Sequence, residues 1–192
     1  MAFLPLPRSA AWSHRYTRTA LEVAFFESST EGYVLAGCTT AVEDASPWLV
    51  SYRIAVDTQW RTRHAEITGR SEGGHRSLVL DSDGEGRWFV DGVIQPGLEG
   101  CFDLDLESSA LTNTLPVHRL ALPPGASSQA PAAYVRAHDL SVHRLEQQYA
   151  RTHDPSAQRY SYAAPSFDFS CELTYDAAGL VLTYPGIATR LV

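Results

Sequence analysis

Hydrophobic and polar residues alternate along much of this chain with a period of two, the pattern of strands buried on one face. Phe167, Phe169, Cys171, Leu173 and Tyr175 alternate with Asp168, Ser170, Glu172, Thr174 and Asp176, the cleanest strand in the sequence. Val50, Tyr52, Ile54 and Val56 share one face of another segment, with Ser51, Arg53, Ala55 and Asp57 on the other. Trp60 to Ile67 is expected to pair with it through the Asp57-Thr58-Gln59 region. Phe102, Leu104 and Leu106 point one way and Cys101, Asp103, Asp105 and Glu107 the other, which predicts a strand with a wet acidic face. A Thr-Asn-Thr turn (112–114) and the apolar stretch Leu115–Leu120 follow.

Shorter strands are expected at Leu21–Phe25, Tyr33–Leu35, Leu78–Leu80, Arg87–Val90, Val135–Val142, Tyr160–Tyr162 and Leu180–Tyr184. Asp81–Gly86 reads as a turn-rich loop, and Asp91-Gly92 as a hairpin signal. Helical spacing is scarce. His143 to Arg151 fits one helix or one strand, and periodicity does not choose. The predicted class is therefore all-β and antiparallel, a rolled sheet, sandwich or barrel with very little helix. A rolled sheet encloses a ligand cavity unless large side chains fill it.

The length of 192 residues suits a single domain spanning 1–192. Asp83–Gly97 and Asp176–Gly186 both read as an acidic-Gly turn, an apolar strand and then Pro-Gly. An internal duplication and the general grammar of β-hairpins both account for that echo. If there are two β halves, they are 1–122 and 132–192, joined by the Pro/Ser-rich stretch 123–131.

Charge and composition narrow the function. A formal charge of −7 argues against a nucleic-acid partner. All 15 basic residues are arginine, which suits bidentate binding of phosphate or carboxylate and is equally the mark of a GC-rich genome. Three scattered cysteines, Cys38, Cys101 and Cys171, read as reduced thiols rather than a disulfide framework or zinc site. The N-terminus has no convincing signal peptide, and no stretch approaches the ~18 apolar residues of a membrane span. A cytoplasmic location follows as the expectation.

Candidate chemistry is sparse. Asp103 and Asp105, at i and i+2, lie about 6.6 Å apart along a strand, within the ~5–9.5 Å that glycoside hydrolases use. The seven histidines lack HxH or HxxxH spacing, so no metal site is expected, and no cofactor motif is present. Cys101 reads as a buried small hydrophobe rather than a nucleophile. Arg53, Arg61 and Arg63 with Trp48, Tyr52, Trp60 and Trp88 form the richest cluster. Arginine forks and tryptophan faces suit an amphiphile's head group. The competing reading puts the tryptophans in the core and pairs the arginines with Asp57 or Glu66.

Several of these segments resemble the bacterial family named "putative glycolipid-binding". They are Gly100–Leu106, Thr112–Leu120, Tyr52-Arg53-Ile54 with Asp57, Trp60–Arg63, Gly86-Arg87-Trp88 with Asp91-Gly92, and Gly179-Leu180-Val181 with Tyr184-Pro185-Gly186. The resemblance spans roughly Thr19 to Arg190. Two departures stand out: Ser109-Ala110-Leu111 replaces an expected Thr-Pro-Phe, and His118 an expected arginine. The resemblance implies a spiral β-roll or incomplete barrel, similar to the lipoprotein carriers of the bacterial envelope. It also implies a glycolipid or other amphiphilic ligand and brings no catalytic residues.

The reading that results is a non-enzymatic binding protein holding an amphiphile in a rolled sheet. Arg53, Trp60, Arg61, Trp88, Asn113 and Arg119 are its expected ligand contacts. The alternative is a hydrolase of a glycoside or lipid using Asp103 and Asp105 as paired carboxylates, and a third reading is a structural or partner-binding β protein with a filled interior. Oligomeric state is left open.

Overall fold

Strand periodicity carries directly into the structure, a computed structural model that describes residues 3–15, 18–154 and 158–192. Eight strands run in chain order through the first half: β1 (Ser9–His14), β2 (Thr19–Ser28), β3 (Gly32–Glu43), β4 (Ser46–Asp57), β5 (Thr62–Ser71), β6 (Gly74–Ser82), β7 (Trp88–Val90) and β8 (Val93–Ile94). Each pairs antiparallel with the next. In β4, Trp48, Val50, Tyr52, Ile54 and Val56 all turn inward, as their alternation requires.

A central segment follows, with β9 (Asp103–Leu106), a 3-10 turn over Leu111–Asn113 and the helix α1 (Thr114–Leu120). The remaining strands are β10 (Ser127–Gln129), β11 (Ala132–Val135), β12 (Val142–Leu145), β13 (Gln148–Arg151), β14 (Gln158–Ala164), β15 (Phe169–Tyr175), β16 (Val181–Tyr184) and β17 (Ala188–Arg190). Strand β17 pairs with β1, so the two arms join into one 14-stranded antiparallel sheet with β10 and β8 at its ends. Those ends do not pair, and the roll stays an incomplete barrel. A second sheet of three strands sets β9 parallel to β11, with β12 antiparallel on its far side.

The roll is filled by its own chain. The central segment hydrogen bonds to strands of both arms: Thr39 Oγ1 donates to Ser108 O at 2.8 Å, and Tyr149 and Tyr175 hydroxyls donate to Asn113 Oδ1 and O at 2.8 and 3.2 Å. Leu104, Leu106, Leu111, Leu115 and Val117 are buried among Trp12, Trp88, Tyr149 and Tyr160. Space for a ligand is therefore left at the margins of this plug.

Two expectations, for β9 and for His143 to Arg151, are corrected, and two further segments take forms that the alternation did not specify. All four residues of β9 are buried, so Asp103 (1% exposed) and Asp105 (8%) do not form a wet face. The strand lies inside the roll, and its polar side is satisfied by protein groups instead of water. The stretch after Thr-Asn-Thr is helical. Its Pro116 falls in the first turn, where backbone N–H groups have no partner within the helix in any case, and Ala121 closes it in the left-handed conformation at φ 43°. His143 to Arg151 holds parts of two strands, β12 and β13. The stretch 123–131 supplies edge strand β10 and the buried Ala130.

Strand β2 inverts the usual rule. Leu21 and Phe25 face solvent, Phe25 with 60% of its surface exposed, whereas Ala20, Glu22 and Ala24 face the core. Small side chains there let the central segment come close. Glu22, wholly buried, accepts from the Tyr52 hydroxyl (2.7 Å), the Ala110 N–H (2.8 Å) and Ser109 Oγ, and pairs with His14 Nε2 at 3.2 Å. Such a carboxylate is stable inside only because several donors converge on it. Gly37 in β3 leaves room for this hub, because a methyl there would collide with the Tyr52 hydroxyl.

Candidate functional site

The inward side chains of β9 lead to a cavity between the central segment and the C-terminal arm. Asp105 sits at its floor. The Leu111–Asn113 turn folds back over the strand, so Thr112 Oγ1 meets Asp105 Oδ1 at 2.9 Å and accepts the Leu106 N–H at 3.2 Å. Gln147, in the two-residue link from β12 to β13, donates to Asp105 Oδ2 at 2.6 Å. Burial raises the Asp105 pKa to about 6, opposed by the Thr112 and Gln147 hydrogen bonds and reinforced by Asp103 and Glu107.

Asn113 completes the floor. Its Oδ1 takes the Tyr149 hydroxyl proton, and among the described residues its Nδ2 has no acceptor. The walls are aromatic: Tyr134 tilts against Phe167 with ring centroids 5.5 Å apart, and Tyr162, Tyr184 and Phe169 pack together at 5.9 to 6.2 Å. Leu145 and Ile187 add aliphatic surface, and the cavity encloses about 310 Å³. Arg18 and Glu107 also line it, Arg18 donating to Glu107 O at 3.3 Å with its guanidinium 3.9 Å from the Glu107 carboxylate.

The expected contact residues divide between places. Asn113 lines this cavity. Trp60, Arg61 and Arg119 converge on another, about 390 Å³, with Phe102 and His118. Trp60 does not offer a free face there, being stacked between Tyr33 (4.6 Å) and His118 (3.7 Å). Trp88 is fully buried, its Nε1–H bonded to Cys101 O at 2.8 Å. Arg53 lies on the outer face, 3.7 Å from Glu27. Arg63 pairs with Asp57 at 3.7 Å, as the core-and-ion-pair reading expects.

Asp103 and Asp105 do not serve one cavity. Both Asp103 oxygens are taken by Arg119, at 2.9 and 2.6 Å, and Asp103 does not line the Asp105 cavity. Burial raises the Asp103 pKa while Arg119 lowers it. Among the described residues no cluster of three or more His, Cys, Asp or Glu side chains could hold a metal, and no helix is long and apolar enough to cross a membrane.

Sequence reasoning missed Gln147, Tyr134, Tyr162 and Tyr184. The one available signal was the aromatic face of the Phe167–Tyr175 alternation, which contributes Phe167 and Phe169.

Comparison with known proteins gives the family and the fold. A family model described as "Putative glycolipid-binding" matches residues 9–190. A crystal structure of a DUF1089 family protein from Pseudomonas aeruginosa is 32% identical, with 90% of this chain and 92% of that one aligned at a TM-score of 0.80. A beta-barrel-like protein with the domain of unknown function DUF1849, from Brucella abortus, covers 99% of this chain and 95% of its own at a TM-score of 0.52. At 10% identity it speaks for the fold alone. A search of curated proteins gives no match.

Proposed function

The chain belongs to the family described as "Putative glycolipid-binding", and from that premise we propose that it binds, without turnover, the sugar-bearing head of an amphiphile in the Asp105 cavity. One observation carries the reading: a buried carboxylate and a carboxamide share a floor beneath aromatic walls. Sugar hydroxyls donate to carboxylates and accept from amides, while the apolar faces of a pyranose pack on aromatic rings. Phe167, 54% exposed, with Leu145 and Ile187 supplies apolar surface for the start of a lipid chain. The absence of turnover is supported by Asp103 being bound to Arg119, and by Glu107 accepting the Ala137 N–H at 2.8 Å beside Arg18. Most glycosidases use two carboxylates free to exchange protons or attack carbon across one bond.

Calorimetric titration with octyl β-glucoside against octanol tests the proposal. The glycoside should bind at least about tenfold more tightly, equivalent to ~1.4 kcal/mol, and Asn113→Ala should remove that preference. Equal binding of the two probes would overturn the head-group role. Release of nitrophenol from nitrophenyl glycosides, lost in Asp105→Asn, would overturn the non-enzymatic reading.

A further inference from the structure

The opposite end of the plug carries a second, differently built site. Arg61 and Arg119 both lie over the Phe102 ring, their guanidinium carbons 5.6 and 5.2 Å from its centroid. The cavity they line contains no acidic residue, in a chain whose formal charge is −7. Asp103 engages Nε and Nη2 of Arg119, and Gly84 O engages Nη1 of Arg61 at 3.0 Å. Among the described residues, Nη1 of Arg119 and Nε and Nη2 of Arg61 have no acceptor and remain as donors. Because both side chains are already held in place, an anion binding them would cost little further rotamer freedom.

This cavity does not end in solvent alone. Trp60 and His118 line it and also line an apolar groove of about 500 Å³, bounded by Phe3, Leu6, Phe26 and Tyr33. His118 behaves there as an uncharged wall, since burial pushes its pKa down to about 4 and its Nε2–H is committed to Ala178 O at 2.9 Å. Trp60 takes the left-handed conformation, φ 63°, which is rare for a bulky residue. That backbone sets the indole as the partition between the charged and apolar compartments, and strain of this kind concentrates at ligand clamps. The carboxylate that lines the groove, Glu27, is ion-paired with Arg53.

We infer that these two compartments form one site for an acyl chain bearing an anionic head, a carboxylate or phosphate, separate from the Asp105 cavity. The arginines meet the head, and the groove beyond Trp60 and His118 takes the chain. The inference does not depend on the sugar reading, because the lining residues of the two sites are different.

Calorimetry with decyl phosphate, decanoate, decanol, decyltrimethylammonium and inorganic phosphate tests it, below the aggregation concentration of each amphiphile. Decyl phosphate or decanoate should bind at least tenfold more tightly than decanol, and the ammonium compound more weakly still. Which of the two anions binds better identifies the head. Arg61→Gln, on a partly buried side chain, should weaken the anionic probes about tenfold and leave decanol unchanged. Arg119→Lys, which keeps a positive charge beside Asp103 but loses the guanidinium fork and its Nη1, should do the same. Asn113→Ala should leave decyl phosphate binding intact. Equal affinity for decanol and the anions would overturn the inference. So would inorganic phosphate matching decyl phosphate, or loss of decyl phosphate binding in Asn113→Ala. Failure of octyl glucoside to bind would bear only on the other cavity.

Discussion

Asp103 and Asp105 stand two residues apart on one strand, yet they organise opposite ends of the plug in different ways. Asp103 is neutralised by a fork of Arg119, so its charge is matched by a partner that itself reaches a cavity. Asp105 has only neutral donors, Thr112 and Gln147, and lies at the floor of an aromatic chamber. A buried charge with a counter-charge is a structural device, whereas one held by neutral groups keeps an unbalanced charge available to a ligand or a proton. The arginine end is thus suited to anions and the tyrosine end to hydroxyl donors.

The sharpest way to break this contrast is Arg119→Met, which strands Asp103 in the core. Removing one partner of a buried pair typically costs ~3–5 kcal/mol, and urea denaturation should show a loss of that size at pH 7. A loss under ~1 kcal/mol would mean that Asp103 is solvated after all.

The next effect is a difference in pH dependence. Asp105 holds its proton more firmly when folded, with a pKa of about 6 against 3.8 for an ordinary aspartate. Stability therefore declines as pH rises from about 4 to 6 and stays reduced above, by ~3 kcal/mol at ~1.4 kcal/mol per unit. Asp103 contributes in the same direction. Asp105→Asn should flatten the decline, as read from urea midpoints between pH 4 and 7.5.

His118 has the contrary sign. Its pKa falls from 6.5 to about 4 on burial, so its contribution is complete above pH 6.5 and is lost as acid approaches pH 4. His118→Gln should remove that acid loss and leave the Asp105 slope in place. Identical pH profiles for the two variants would erase the distinction between the ends.

The smallest effect is expected at Arg53. Its pair with Glu27 is exposed, with half or more of each side chain in water. Arg53→Ala should shift stability by less than ~1 kcal/mol and leave octyl glucoside binding unchanged.

How far the site could be read in advance depended on which neighbours each residue met. Strands β4 and β15 were legible because one apolar face met one core. The interior of β9 was not, since alternation marks two faces but cannot say that both are enclosed. Glu22 escaped notice for the same reason, its inward register between Ala20 and Ala24 being visible only once Ser109 and Tyr52 arrive. Helix α1 was hidden because Thr-Asn-Thr-Leu-Pro carries the residues of a turn, and its apolar burial supplies what local propensity lacks. Of the expected contacts, Trp60, Arg61 and Arg119 do share a cavity, although Arg119 is far from the others in sequence. Asn113 belongs to the opposite end.

Residue order alone determined that the chain forms many antiparallel strands, that no metal or nucleotide motif is present, and that it resembles one family along nearly its whole length. Those properties are local or additive, resting on period-two alternation, turn residues and residue types. Tertiary structure alone decided that residues 103–120 fill the roll, and that Asp103 finds an arginine while Asp105 finds Thr112 and Gln147. It also divided the remaining space into an aromatic chamber and an arginine-edged groove. These depend on contacts between strands far apart in the chain, where close packing and the satisfaction of buried polar groups are settled by shape and not by sequence spacing.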